Sequence, residues 1–447
     1  MRSHKEDTKN LGLASLGAVL EYFDFVIYVF VAAAISDAFF PAGASTAMKQ
    51  LQTFGIYAVG YLVRPVAGIL IAHFADQIGR KKLFIFTVLL MSVPTFLMGL
   101  LPTYSQIGMW APAILLVLRI MQGCAVGGEL PGAAVFVSEH APASRLGFSS
   151  GVFNGAVNCG LLLGAGAAAL SKLVAALDPS LASLAWRLPF ILGGLFGLGG
   201  AYLRRHLSET PSFQEMKKEQ VAKRVPIAEV LKNYRGQCLF AFTLVFVFAA
   251  TSGTYFQFLP TYLIGQLHFS SDVVFKANTI GIFAFVCGMP AWGMLRDRLG
   301  WSRTLALGAL SGASAALWFF NTIDSLDRND LSLAYAFAVV GLASSCAHGL
   351  VPGLIASLFP TEIRQTGFTF PYTTGTAIFT GITPLILAWQ VREIGLSAPL
   401  YYYLTACVVA MVLAWKVRSA RHYLGVVDQS PAGSEVHAAP AAIARSN

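Results

Sequence analysis

Two carboxylates, Glu21 and Asp24, lie inside the apolar run from Leu11 to Ser36, a stretch long enough to cross a bilayer. An ionisable group at that depth is expensive and marks a working site by default, usually one that moves a proton or holds an ion. At helical spacing Glu21, Asp24 and Tyr28 share one face, which must look into protein or water. Two further apolar runs carry Arg64 and Arg119, whose guanidiniums cannot practically lose their protons. Arg119 is roughly 13 Å into its run at 1.5 Å per residue, a level close to that of Asp24. Each guanidinium needs an anion, and Asp24, Glu21 or a bound carboxylate can supply it. Glu129 is about 15 Å further along the axis, too far to pair with Arg119, yet Arg119, Gln122, Val126 and Glu129 share a face. That face is either a polar path or a tie to a neighbouring helix. The chemistry these types allow is proton transfer on Glu21, Asp24 or Glu129, linked to the binding of a small ligand by Tyr28, Arg64, Arg119 and Gln122.

The elements that must position these groups follow from composition. Of 447 residues 56% are hydrophobic and only 12% charged, against the roughly 25% charged of a soluble domain. The chain is therefore expected to be an all-α integral membrane protein. Its first ten residues are polar, and the run behind them is too long for a signal peptide, so the first span is retained. Apolar runs near 11–36, 51–75, 83–101, 110–138, 148–171 and 187–203, then 238–264, 273–295, 304–321, 331–359, 366–389 and 398–417, read as twelve transmembrane helices in two sets of six. Placing both termini in the cytoplasm leaves only Lys49, Lys172, Arg187, Lys276, Arg328 and Arg392 outside, as the positive-inside rule requires. The expected organisation is a bundle over 1–203, a charged cytoplasmic linker over 204–237 that includes a surface helix, a second bundle over 238–420, and a disordered cytoplasmic tail over 421–447. The six cysteines fall singly in apolar runs without metal-ligand spacing, so no metal and no cofactor is expected.

The two sets of helices repeat each other. Asp76-Gln77-Ile78-Gly79-Arg80-Lys81 matches Asp297-Arg298-Leu299-Gly300-Trp301-Ser302 at an offset of 221, and Pro131-Gly132 matches Pro352-Gly353 at the same offset. A duplicated six-helix unit predicts two pseudo-symmetric bundles around a central cavity. With these residues in view, the chain resembles the major facilitator superfamily and, within it, the metabolite:proton symporter family. The resemblance rests on Asp76-x-x-Gly79-Arg80-Lys81 and its copy at Asp297, on Glu21-Tyr22-Phe23-Asp24-Phe25, on Arg64-Pro65, and on Arg119-x-x-Gln122-Gly123-x-x-x-Gly127-Gly128-Glu129. It implies a secondary active transporter in a bacterial inner membrane that takes up a small carboxylate or zwitterion with a proton by alternating access.

Beside that resemblance, each motif has its own physics. Asp76 and Arg80, with Asp297 and Arg298 in the second copy, can clasp neighbouring helix ends and hold one state closed, a cytoplasmic gate. Gly123, Gly127, Gly128 and Gly132 read as close helix packing. The second half has almost no ionisable group in its spans beyond His348, which reads as a helix–helix hydrogen bond near Ser344 and Ser345. Its Tyr255, Gln257 and Tyr372 complete the candidate binding set. No His/Glu metal spacing, nucleophile elbow or phosphate loop supports an enzyme, and nucleic acid is excluded as a partner by the membrane distribution of the +9 net charge. The partners expected are protons, a small molecule and lipid, with the chain a monomer. Glu21, Asp24 and Glu129 against Arg64 and Arg119 total a formal −1 that one proton neutralises, which favours a small organic acid over proline or betaine. A proton-driven exporter would use the same parts.

Overall fold

In hydrocarbon an unpartnered backbone amide or carbonyl is so costly that a chain this apolar folds as helices, each satisfying its own backbone. The computed structural model describes residues 4–78, 80–178, 181–204, 226–323 and 330–419, and among these it contains helices and no strand. The first span is His4–Phe30 continued by Ala32–Phe39, and the second is Thr46–Leu62 continued by Arg64–Ile78. Arg80–Leu100, Trp110–His140, Leu146–Leu177 and Leu188–Arg204 complete the first bundle. The seventh span runs from Arg235–Ser252 through a π-helical turn, Gly253–Phe258, into Leu259–Gly265. Ser271–Leu299, Trp301–Thr322, Asp330–Ser344 with Cys346–Ser357, Arg364–Glu393 and Ala398–Ser419 follow. Nine helices among the described residues are long and apolar enough to cross a membrane by themselves, and Ile85–Leu100 and Leu188–Tyr202 are shorter apolar stretches. Large apolar side chains such as Leu51, Val66, Leu70, Phe86, Val408 and Trp415 point outward, as a lipid-facing surface requires. Of the expected linker, 205–225 lies outside the described residues, as does the expected tail from 421. The short helix Pro226–Asn233 packs against the second, seventh and eleventh spans through buried Val230.

Breaks in the helices fall beside polar side chains inside the spans. Pro65 has no amide hydrogen and its ring crowds the carbonyl four residues back, so the second span turns at Val63 and presents Arg64 at the start of a new helical segment. Pro260 has the same effect behind the π-helical turn that carries Tyr255 and Gln257. The tenth span is interrupted at Ser345, next to His348. Such discontinuities near mid-membrane leave backbone groups free to meet a ligand.

The second and fourth spans touch backbone to backbone. A Cβ on Gly123 would meet the Gly60 carbonyl, one on Gly127 would lie 2.5 Å from the Arg64 carbonyl, and one on Gly68 would lie 2.5 Å from the Gly127 carbonyl. This approach brings Arg64 and Arg119 onto the same ring, as described below.

The two bundles are tied at one end, the end at which the first span begins. Gly147 N–H and Phe148 N–H donate to the Asp297 carboxylate at 2.8 and 2.9 Å, Arg364 pairs with Glu139 at 3.0 Å, and Ser150 Oγ–H donates to the Gly349 carbonyl at 2.8 Å. The fifth and eighth spans lie against each other there, and a Cβ on Gly151 or Gly293 would collide with the opposing backbone. The central space is therefore closed at that end.

Gly127→Val should lower the thermal unfolding midpoint in detergent, since overpacking against rigid backbone costs about 1–3 kcal/mol or more. Gly199→Ala, whose Cβ would meet nothing within 4 Å, is the control and should leave the midpoint unchanged.

Candidate functional site

Phe25, on the first span, is contacted by two cations. The Arg64 guanidinium carbon is 4.0 Å from the Phe25 ring centroid and that of Arg119 is 4.2 Å from it. Arg64 also stacks on Tyr61 at 3.8 Å, and Arg119 on Tyr28 at 4.5 Å and Tyr57 at 4.8 Å. The rings hold each other: Tyr57 stacks on Tyr28 at 5.9 Å and its hydroxyl lies 3.2 Å from that of Tyr61. Tyr28 O–H is anchored by donating to the Thr53 carbonyl at 3.1 Å. Arg119 is fully buried and donates to Gln122 Oε1 at 2.6 Å and to the Phe25 carbonyl at 3.2 Å. Its Nε, like Nε and Nη2 of Arg64, has no hydrogen-bond partner, and neither arginine makes an ion pair among the described residues. Asp24, both of whose oxygens lack a hydrogen-bond partner, is thus not their counter-ion. Cation–π contacts are worth about 0.5–2 kcal/mol each, whereas the penalty for burying one ion is several kcal/mol. Among the described residues no ion pair offsets the remainder.

The carboxylates gather elsewhere. Glu21, Asp24 and Glu129 line one small pocket inside the first bundle, with room for about one water molecule. All three are buried, and both Asp24 oxygens lack a hydrogen-bond partner. Asp24 lies against the glycines of the sixth span: a Cβ on Gly193 would strike Oδ1, and one on Gly197 would lie 3.2 Å from Oδ2. Only glycine there leaves room for the carboxylate. Asp24 and Glu129 act electrostatically on each other. Glu129 is therefore joined to the site as a neighbour of Asp24, not as a partner of Arg119.

A short chain of contacts connects the cluster to the pocket. Gln122 accepts from Arg119 and donates through Nε2 to Thr95 Oγ1 at 2.7 Å, and Thr95 lies beside Gly193, the glycine that faces Asp24. Arg119 also binds the carbonyl of Phe25, the residue after Asp24. Thr95, Tyr57 and Tyr61 escaped the sequence reading, although Tyr57, Tyr61 and Arg64 at i, i+4 and i+7 mark one helical face.

From the second bundle, Tyr372 reaches this region. It lies within electrostatic range of Arg64 and Glu21 and packs on Phe368 at 5.2 Å and Phe248 at 5.8 Å. Phe248 stacks on His348 at 3.7 Å, and Phe285 meets the imidazole edge to face at 4.8 Å. His348 Nδ1 has no hydrogen-bond partner, so the expected helix–helix bond is replaced by an aromatic sandwich. Tyr255 turns instead into the second bundle, 4.7 Å from Tyr403, and Gln257 is exposed; neither is brought against the arginines.

At the closed end, Asp297 caps the start of the fifth span, and it is Arg296 that pairs with it, at 3.0 Å, while stacking on Trp301 at 4.0 Å. Arg298 is exposed. The side chains of Asp76 and Arg80 lie outside the described residues. Glu139 and Arg364, not anticipated from the repeat, supply the ion pair between bundles.

Comparison with known proteins follows this geometry. The Major Facilitator Superfamily model matches residues 14–374. The Proline/betaine transporter of Escherichia coli (strain K12) is 32% identical over 451 residues, covering 96% of this chain and 87% of that protein. The Glycine betaine/proline/ectoine/pipecolic acid transporter OusA of Dickeya dadantii (strain 3937) is 32% identical over 422 residues, covering 90% and 82%. Among solved structures, the proton:xylose symporter XylE bound to 6-bromo-6-deoxy-D-glucose superposes with a TM-score of 0.73 at 15% identity, covering 93% of this chain and 96% of that one. FucP in the outward conformation gives 0.68 at 14% identity, covering 91% and 97%. Twelve helices in two bundles, a matching family model over most of the chain, and relatives that are transporters rather than enzymes place this chain in the Major Facilitator Superfamily as a membrane transporter.

Proposed function

We propose that the chain is a proton-coupled symporter that takes up a small carboxylate-bearing zwitterion of the betaine or imino-acid class. The observation that carries this reading is Arg119: fully buried, held by three rings and two hydrogen bonds, lacking a carboxylate partner, and bonded to the carbonyl next to Asp24. Arginine receives a carboxylate through paired, directional bonds, and Arg64, stacked on the same Phe25 ring, adds to the attraction. The aromatic faces of Tyr22, Tyr61 and Tyr372 suit an ammonium or quaternary ammonium, and Glu21, within range of Tyr372, is an anion for it. The names of the 32% identical relatives support the same class.

The separation of arginines from carboxylates changes the charge argument made from sequence. Counting all five groups as one site favours an organic acid, whereas the arginine cluster by itself asks for a carboxylate whatever else the solute carries. An organic acid remains the second reading, favoured by the two guanidiniums that share one ring.

Coupling follows from connection. A substrate carboxylate on Arg119 competes with its bonds to Gln122 and the Phe25 carbonyl, and both lead to Asp24. Asp24 then carries the proton, with Glu21 and Glu129 setting its electrostatic surroundings. Orientation follows the positive charge: the closed end is cytoplasmic, so Asp297, Arg296, Glu139 and Arg364 form the gate that is shut here, and the bundles rock to open it.

In proteoliposomes with an imposed pH gradient, the wild type should accumulate glycine betaine or proline, and Asp24→Asn should abolish accumulation while leaving exchange; normal accumulation by Asp24→Asn would defeat the proton assignment. Arg119→Lys, which keeps the charge and loses the planar fork, should weaken substrate binding about tenfold or more, as expected for losing a charge-assisted bond of about 1.5–3 kcal/mol. If 2-oxoglutarate and not betaine shows that Arg119-dependent binding, the organic-acid reading replaces the first. Asp297→Asn should change the rate of exchange with little change in equilibrium affinity, read by comparing exchange kinetics with titration calorimetry.

A further inference from the structure

The carboxylate pocket has a position that its chemistry alone does not require. It extends from Asp24 toward the closed end of the molecule. Gly17 lies seven residues from Asp24 in that direction, about 10 Å at helical rise. Gly200, also on its wall, is four residues from the end of the sixth span at Arg204. Glu129 and Ser92 complete the polar lining. Ser92 O–H donates to the Val88 carbonyl at 2.8 Å, which turns its oxygen lone pairs to other partners. Among the described residues that line the pocket, those from the third and sixth spans are uncharged and none is a cation. The bundle ties that close the central cleft do not cross it.

The internal duplication supplies the control. An equivalent void lies in the second bundle between the seventh, ninth, tenth and twelfth spans, and Ala309 lines it at the position 221 residues after Val88. The position equivalent to Glu129 is Leu350, and its neighbour Val351 lines the void. That pocket has hydroxyl and thiol groups, among them Thr251, Tyr403 and Cys407, but no carboxylate. Packing at this place in the fold is thus satisfied without acids, while in the first bundle Asp24 is buried with neither oxygen bonded.

Resting on the reading of Asp24 as the proton carrier, we propose that the proton leaves to the cytoplasm through this pocket, from Asp24 by way of Glu129 and a water between them, inside the first bundle and apart from the cleft through which substrate leaves. The transfer is a proton exchange between carboxyl and carboxylate: Asp24 gives its proton to the water as Glu129 accepts one from it, and Glu129 later releases its proton toward Gly17 and Gly200. Proton release then does not wait for the substrate gate to open fully.

The route is tested on the full chain in right-side-out and inverted vesicles by time-resolved infrared spectroscopy after a pH jump on one side. The Asp24 carboxyl band is identified by its loss in Asp24→Asn. In the wild type the band should respond to a jump on the cytoplasmic side. Gly200→Val, where the first added atom meets only Leu20 at 3.5 Å, and Glu129→Gln, nearly isosteric, should each slow that response, by about a hundredfold for Glu129→Gln, as for removal of a positioned acid–base group. A band that responds at the wild-type rate in both variants overturns the route while leaving Asp24 as the proton carrier. No Asp24-dependent band at all overturns both.

Discussion

Two positive charges stacked on one benzene ring, with no ion pair to either among the described residues, are the constraint on which the first bundle is arranged. Arg64 and Arg119 can be held this close only because the second and fourth spans meet at Gly60, Gly123 and Gly127. Pro65 interrupts the second span where Arg64 must turn inward. Tyr28, Tyr57 and Tyr61 are ordered by hydrogen bonds at their hydroxyls, so their faces are fixed toward the guanidiniums before any ligand arrives. Such preorganisation lowers the ordering cost that binding must overcome.

The same arrangement keeps unlike charges apart. Had Asp24 paired with Arg119, both would be neutralised and neither would respond strongly to a substrate or a proton. The first span instead presents Phe25 to the arginines and Asp24 to the glycines of the sixth span, and the two faces communicate through Gln122, Thr95 and the Phe25 carbonyl. The second bundle, built from the same ancestral plan, contributes aromatic surface in Tyr372, Phe248 and His348 and an uncharged counterpart of the pocket. The two copies have therefore diverged in composition: the carboxylates of the pocket and Arg64 and Arg119 lie in the first bundle, and the second places aromatic rings and an uncharged void at its counterpart positions.

The architecture was legible because hydrophobic length, the 221-residue repeat and charge distribution are properties of whole segments. The same holds for the burial of Glu21, Asp24, Arg64, Arg119 and Gln122 inside the first bundle, since polar groups are conspicuous in an apolar run. Their pairing was not legible. Helical spacing puts Asp24 and Tyr28 on one broad face, but it cannot say that the sixth span offers glycines to one edge of that face while the second and fourth offer tyrosines and arginines to the other. Tyr255 and Gln257 failed for a related reason: the π-helical turn shifts the register, so positions read at 3.6 residues per turn no longer point toward the arginines. Likewise, the second loop copy suggested Arg298, whereas the helix continues through Leu299 and it is Arg296 that turns toward Asp297 and Trp301.

A transporter must also leave its closed state at a price that ligand binding can meet. Among the described residues the polar ties between bundles include two amides on Asp297, Arg296 to the Ala143 carbonyl, the ion pair between Glu139 and Arg364, and Ser150 with the Gly349 carbonyl and the Gly353 amide. Hydrogen bonds to a charged group contribute about 1.5–3 kcal/mol each, so the contacts of Asp297 and Arg364 are a substantial part of what holds the closed end. The rest of the seam combines glycine against backbone with apolar side chains from both bundles in one buried cluster. A ligand shifts a two-state equilibrium only by its differential affinity for the two states. A cluster with no ion pair among the described residues, linked by bonded atoms to the residue beside Asp24, can generate such a difference, whereas an arginine already neutralised by its own protein could not.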